Sequence, residues 1–270
     1  MNLTSFVEQS DVRENFKKEF KKPTIPRRKD PVVMPQTKNF GIVGTAFDYL
    51  LRFYVKSLNP QAVEPYWIAE NCLQSLKQKG LSQLYKRGYL IVTQARENYV
   101  DFLQSQQISD DLLRSTLLLA KLDSFYRAGK IDENLEQVDE RDIEDLRKML
   151  SMVDPNPFKS SGVVLLNPTF VSASVSRIKA DADLVIDDLL IEIKTVKELS
   201  LESDDFRQLM GYYALSQIEG IEGAPPEHEI KRLGIYFSRY AYFHVMNVED
   251  LIDKQRFPQF LEWFKLRANS

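Results

Sequence analysis

The chain has 270 residues, 43% hydrophobic and 28% charged, which suits one large domain or two small ones with a real core. Thirty-six basic against 39 acidic residues give a formal charge of -3, so the molecule as a whole is no polycation and any nucleic-acid surface must be local. The longest uninterrupted apolar runs are about four or five residues, far short of the roughly 18 that cross a bilayer, and no apolar signal core opens the chain. The expectation is a cytoplasmic protein with no membrane partner. A single cysteine, Cys72, excludes an intrachain disulfide, a multi-cysteine zinc site and a cysteine-ligated iron–sulfur cluster, and two histidines, His228 and His244, speak against zinc chemistry.

In chain order, residues 16–29 (FKKEFKKPTIPRRK) hold seven basic residues, one acidic residue and two prolines. The prolines interrupt any helix, so residues 1–35 read as a flexible basic arm, either a solvated tail or a phosphate-contacting one. Residues 36–157 read as a helical region: Phe47, Leu50, Leu51, Tyr54 and again Leu112, Leu113, Leu117, Leu118, Leu122 recur at helical spacing and predict four or five helices. The acidic segment 132–145 predicts a linker and then the exposed face of a short helix. After DPNP at 154–157 the pattern changes. VVLL at 163–166, RIKADADLVI at 177–186 and LLIEIKTV at 189–196 predict strands, followed by a helix over about 204–219, strands around 232–237 and 241–247, and a terminal helical region broken near Pro258.

The chemistry concentrates in one hairpin. A two-residue turn at Asp187-Asp188 sets Ile186 opposite Leu189, hence Asp183 opposite Glu192 and Asp181 opposite Lys194, all four side chains on one face. Ala180, Ala182, Leu184, Ile191 and Ile193 make the other, core-facing side. Two carboxylates directly across an antiparallel pair repel each other, and a hard divalent cation, Mg²⁺ or Mn²⁺, is the simplest compensation. Lys194 then lies near the cation and its water. A solvated strand face is the plain alternative. On the following helix Gln208 and Tyr212 share one stripe beside the apolar Phe206, Leu209, Met210 and Tyr213, although Asp205-x-x-Gln208 also fits a capping box. In GTAFDYLLRF at 44–53, Asp48 interrupts an apolar helix; a salt bridge to Arg52 at i+4 and metal ligation are the two readings.

Asp183 followed by Glu192-Ile193-Lys194 and then Gln208-Leu209-Met210-Gly211-Tyr212 resembles the PD-(D/E)XK nuclease superfamily, and the QxxxY element resembles its RecB-like branch. GTAFD matches the branch's GxxxH element in spacing, with Asp48 at the histidine position. The resemblance covers roughly residues 40–58 and 177–247; the chain lacks the iron–sulfur cysteines of some branch members. It implies an α/β, restriction-endonuclease-like core over 158–270, a central mixed sheet whose antiparallel hairpin carries the active site, with the 36–157 region lending one active-site helix. It also implies that Asp183 and Glu192, with the carbonyl of Ile193 and Asp48 at the histidine position, bind Mg²⁺ or Mn²⁺, that Lys194 acts on the attacking water, and that Gln208 and Tyr212 position water, ligands or phosphate. The activity implied is a metal-dependent nuclease acting on nucleic acid, DNA above RNA, leaving 5′-phosphate and 3′-hydroxyl ends. Arg207, Arg239 and Lys197 are then candidate phosphate contacts, with Lys179, Lys231 and Arg232 nearby. Asp181 stays ambiguous, as a partner of Lys194 or a group behind the ligands. A catalytically silent nuclease-like module that binds nucleic acid or a partner protein is the alternative, and a partner subunit or self-association stays open.

Overall fold

The computed structural model describes residues 1–129, 134–170 and 178–270. Two short helices, α1 (Leu3–Val7) and α2 (Ser10–Glu19), precede an irregular stretch and the helical region α3 (Phe40–Leu58), α4 (Ile68–Gln78), α5 (Ser82–Ser105), α6 (Asp110–Ala128) and α7 (Glu140–Ser151). The strands β1 (Val164–Leu166), β2 (Leu184–Ile186) and β3 (Leu189–Lys194) follow, then α8 (Ser203–Glu219), β4 (Arg232–Phe237), β5 (Tyr242–Asn247), α9 (Val248–Leu251) and α10 (Phe257–Asn269). Among the described residues the strands form one open mixed sheet in the order β1-β2-β3-β4-β5, antiparallel except for the parallel pair β3–β4. That parallel step requires a crossover, and α8 supplies it.

The turn at Asp187-Asp188 sets the register derived from the sequence: Ile186 faces Leu189 and Leu184 faces Ile191. Asp187 takes the left-handed conformation, φ 51°, which an aspartate tolerates. Period two then sorts β3 between two cores. Leu189, Ile191 and Ile193 enter the core made with the helices α3 to α7, while Leu190 enters a second core with α1, α2, α8 and α10. Both faces of the sheet are therefore covered, and Glu192 and Lys194 share the face that meets α8.

Several expectations are corrected. The N-terminal 35 residues are not a free arm: Leu3, Phe6, Val7, Val12, Phe16 and Phe20 are buried, with Phe16 and Phe20 ring centroids 5.2 and 4.9 Å from Phe260. Their apolar spacing outweighs the charge of the residues between them. Arg28 is bridged to Leu199 by two backbone hydrogen bonds, of 3.1 and 2.8 Å. Gly211 lets α1 approach α8, since a Cβ there would lie 3.0 Å from Leu3. The acidic helix is only partly exposed: Asp142 is buried and accepts from Thr37 and Asn39, and Asp145 is buried against Arg239. The strand expected over 177–186 is regular only over Leu184–Ile186. Lys179 instead bridges Asn2 and Asp181 bridges Thr169, Ala180 and Ala182 join the α8 core, and residue 177 lies outside the described residues. Pro258 begins α10 rather than breaking a helix, as suits a residue that needs no hydrogen-bond donor in the first turn.

Candidate active site

The β2–β3 ladder stops at Leu184–Ile191. Beyond it the backbone of β2 turns away, its path held by Asn167, whose N–H donates to the Asp183 carbonyl at 2.9 Å. The Ile193 N–H that would have met β2 is instead accepted by Asp183 Oδ2 at 2.6 Å. Asp183 is thereby oriented by the missing rung of the sheet, and the Ile193 amide is engaged with a carboxylate that the resemblance assigns to metal. On the same face, Lys194 Nζ donates to Glu192 Oε1 at 2.9 Å, to Asp205 Oδ1 at 2.9 Å and to Gln208 Oε1 at 3.3 Å. Gln208 Nε2 in turn donates to the Tyr212 hydroxyl at 2.7 Å, and the Tyr212 ring stacks on Phe170 with centroids 5.7 Å apart and planes 12° apart. One polar chain thus joins the hairpin to the Gln208/Tyr212 stripe.

Asp48 reaches this cluster from α3. The helix passes close to the end of β3 at Gly44, where even a Cβ would meet Thr195 in an ordinary 3.6 Å contact. Asp48 Oδ2 accepts from Arg52 Nη2 at 2.6 Å, the i+4 salt bridge, while Arg52 itself is buried with its guanidinium 4.6 Å from the Tyr49 ring centroid. Asp48 Oδ1 and Glu192 Oε2 are buried and have no hydrogen-bond partner. Such orphaned acceptors cost free energy unless something positive meets them.

The electrostatics follow. Burial, then the charges of Glu192 and Asp48, push the Asp183 carboxyl well above the ordinary range, against the pull of the Ile193 N–H. Burial also raises Glu192, with Lys194 opposing. Burial alone would lower the lysine, but the Glu192 and Asp205 carboxylates outweigh it and hold Lys194 charged beyond the usual lysine range. Burial, then the charges of Glu192 and Asp183, raise the Tyr212 phenol well above its ordinary range.

The residues present fit a hard cation by their chemistry: two unpartnered carboxylate oxygens, on Glu192 and Asp48, whose charges also push up the neighbouring Asp183 carboxyl. Among the described residues, no group of three or more His, Cys, Asp or Glu side chains is arranged to hold a metal by itself. Such an ion would rest on one or two carboxylates, which is the usual protein share for Mg²⁺.

Other predicted positions divide. Asp181 does not meet Lys194; its carboxylate lies 3.5 Å from the Tyr66 hydroxyl, because the chain leaves the ladder before it. Arg239 is corrected from a phosphate contact to a structural cation: it is 1% exposed and holds Asp145 through two hydrogen bonds of 2.9 and 2.8 Å, with Val33 O as a third acceptor. Lys197 has an exposed side chain, and its carbonyl accepts from Tyr240. Arg207 pairs with Asp204 and lines a cavity of about 420 Å³ with Arg13, Lys17 and Lys22. Asp205 was missed. It is not a capping-box residue, since α8 begins at Ser203 and Gln208 is spent on Lys194 and Tyr212. Its place three before Gln208 and seven before Tyr212, on one helix stripe, was the available signal. No helix among the described residues is long and apolar enough to cross a membrane. The chain matches no protein-family model, no curated protein and no solved structure.

Proposed function

We propose that the protein is a metal-dependent nuclease of the PD-(D/E)XK type, hydrolysing phosphodiester bonds of nucleic acid, DNA first. The observation that carries the reading is a half-buried Lys194 paired with Glu192, beside two carboxylate oxygens that keep no partner, Glu192 Oε2 and Asp48 Oδ1. Nothing in the cluster uses those oxygens. The order α3, three antiparallel strands, α8 and the parallel β4 supports a restriction-endonuclease-like core.

In this reading Glu192 and Asp48, whose free oxygens meet no donor, would hold Mg²⁺ or Mn²⁺ with Asp183 beside them, and the ion when bound would supply positive charge to the reaction. The remaining work belongs to the chain. Lys194, held charged, stabilises negative charge that develops on the phosphoryl oxygens and orients water rather than removing its proton. Asp205 and Gln208 fix the ammonium on its side of the hairpin. Tyr212, a protonated phenol that accepts from Gln208, keeps its own proton to donate towards the site.

The Asp48–Arg52 pair favours a second reading, a nuclease-like module that binds nucleic acid without cutting it, since one Asp48 oxygen is already spent. Cleavage of linear duplex, circular duplex, single-stranded DNA and RNA with Mg²⁺ or Mn²⁺ separates the two, with EDTA as blank and Glu192→Ala and Lys194→Ala as controls. Cleavage that both substitutions and EDTA abolish is the expected result. No cleavage of any substrate by the wild type leaves the binding module.

A further inference from the structure

Beside the acidic cluster lies a cavity of about 640 Å³ that the nuclease reading leaves unused. Its walls carry three aromatic rings, Tyr66, Tyr126 and Phe170, and two cations, Arg127 and Lys179, with the amide of Asn71 among them. The volume is that of a small-molecule site, enough for a nucleotide. It is joined to the catalytic cluster at two points. Asp181, two residues before Asp183, forms part of the wall, and Phe170 stacks on Tyr212 of the Gln208/Tyr212 stripe. Both cations are accessible: Lys179 is exposed, and the Arg127 side chain is 60% exposed while its Nε holds the buried Asp123 at 2.5 Å.

We propose that this cavity is a subsite for one unpaired nucleotide of the strand being processed. It rests on the nucleic-acid reading above. Aromatic faces stack on any base, cations along the mouth take the phosphate, and together they are the means by which proteins hold unpaired strands. Tyr126, 44% exposed, is the ring most open to a base. Asn71 and Asp181 supply donor and acceptor groups for a base edge, and Arg127 and Lys179 supply the positive charge for its phosphate. A nucleotide seated there places its neighbouring phosphodiester towards Asp183 and Glu192. A paired base cannot enter without leaving its stack.

The test measures binding apart from cleavage. Single-stranded DNA dodecamers with 2-aminopurine at the 5′ or the 3′ end are titrated with the full chain in EDTA, beside a blunt duplex of the same sequence. The variants are Tyr126→Ala and Lys179→Gln. Arg127→Ala is avoided because it strands the buried Asp123. Stacking of a base on an aromatic side chain is worth about 1–3 kcal/mol, so Tyr126→Ala should weaken single-strand binding at least about 5-fold and abolish the fluorescence change of one of the two probes. Lys179→Gln should weaken single-strand binding and flatten its salt dependence by about one charge. Duplex binding should stay unchanged in both. Absence of single-strand binding by the wild type, unchanged affinity in both variants, or equal losses for duplex and single strand would overturn the proposal. If Tyr126→Ala melts well below the wild type, Lys179→Gln decides alone. Failure of the nuclease reading is distinct: it is lack of cleavage with Mg²⁺ or Mn²⁺ while the single-strand binding still depends on Tyr126 and Lys179.

Discussion

Two groups of buried charge sit in this protein, and they are finished differently. Arg239 and Asp145 meet across the helical region and the sheet through a bidentate pair, and the Val33 carbonyl takes a further guanidinium hydrogen. Neither residue appears among the buried groups that lack a partner. The cluster of Asp183, Glu192, Lys194 and Asp48 is buried to a similar depth at Glu192, 5% exposed, yet two of its carboxylate oxygens have nothing to accept. Burial and charge are common to both. Completion of the hydrogen bonds separates a group that holds the fold from one that is set to meet something else.

The comparison breaks first at the finished pair. Asp145→Ala strands a buried guanidinium and should cost about 3–5 kcal/mol in denaturant unfolding, with cleavage per folded molecule unaltered; a loss of cleavage without a loss of stability would put Arg239 back in the site. Glu192→Gln should do the reverse. It keeps the acceptor for Lys194 and removes a buried charge, so thermal stability should hold or rise while Mg²⁺-dependent cleavage falls by about 10² or more. Metal sharpens the contrast, because a cation at one hundred times its dissociation constant stabilises by about 2.7 kcal/mol. Mn²⁺ should therefore raise the melting temperature of the wild type and not of Glu192→Gln, and an equal rise in both would place the ion elsewhere.

A smaller effect concerns pH. The Asp183 and Glu192 carboxyls have folded pKa values raised by burial. Below the ordinary carboxylate range both the folded and the unfolded chain keep these protons and no penalty arises. As the pH climbs towards the raised folded values the unfolded chain sheds protons that the folded chain retains, so metal-free stability falls. Asp183→Asn should remove part of that fall, making the variant less pH-dependent and more stable than the wild type near neutrality in EDTA. The smallest effect is in the cavity between α2 and α8: Arg207→Ala should lower the salt dependence of DNA binding by about one charge, and an unchanged slope would leave Arg207 as a partner of Asp204 alone.

Much of the hairpin was legible because its information is local. The two-residue turn sets the register, period two sends Ile191 and Ile193 to one core and Glu192 and Lys194 to the opposite face, and the four-residue spacing of Gln208 and Tyr212 gives their hydrogen bond. The same logic failed one residue beyond the ladder. Alternation carried back from Asp183 assigned Asp181 to Lys194, whereas the chain leaves the sheet there and Asp181 meets Thr169 and Tyr66. Charge counting misled in the same way at both ends. It made a tail of residues whose phenylalanines pack on α10, and a phosphate contact of Arg239.

By itself, then, the sequence determined the alternation of the strands, the helix faces, the turn, and the acids and lysine of one candidate site, since each depends on neighbours a few residues away and on the fixed periods of helix and strand. Tertiary structure alone decided which charges were completed. Lys194 meets Asp205 and Gln208, Arg239 meets Asp145, and Phe170 meets Tyr212, all through the placement of α8, α7 and the sheet relative to one another. The reason is physical: a buried charge is satisfied by whatever packing brings within hydrogen-bond distance, and packing joins residues that no local period relates.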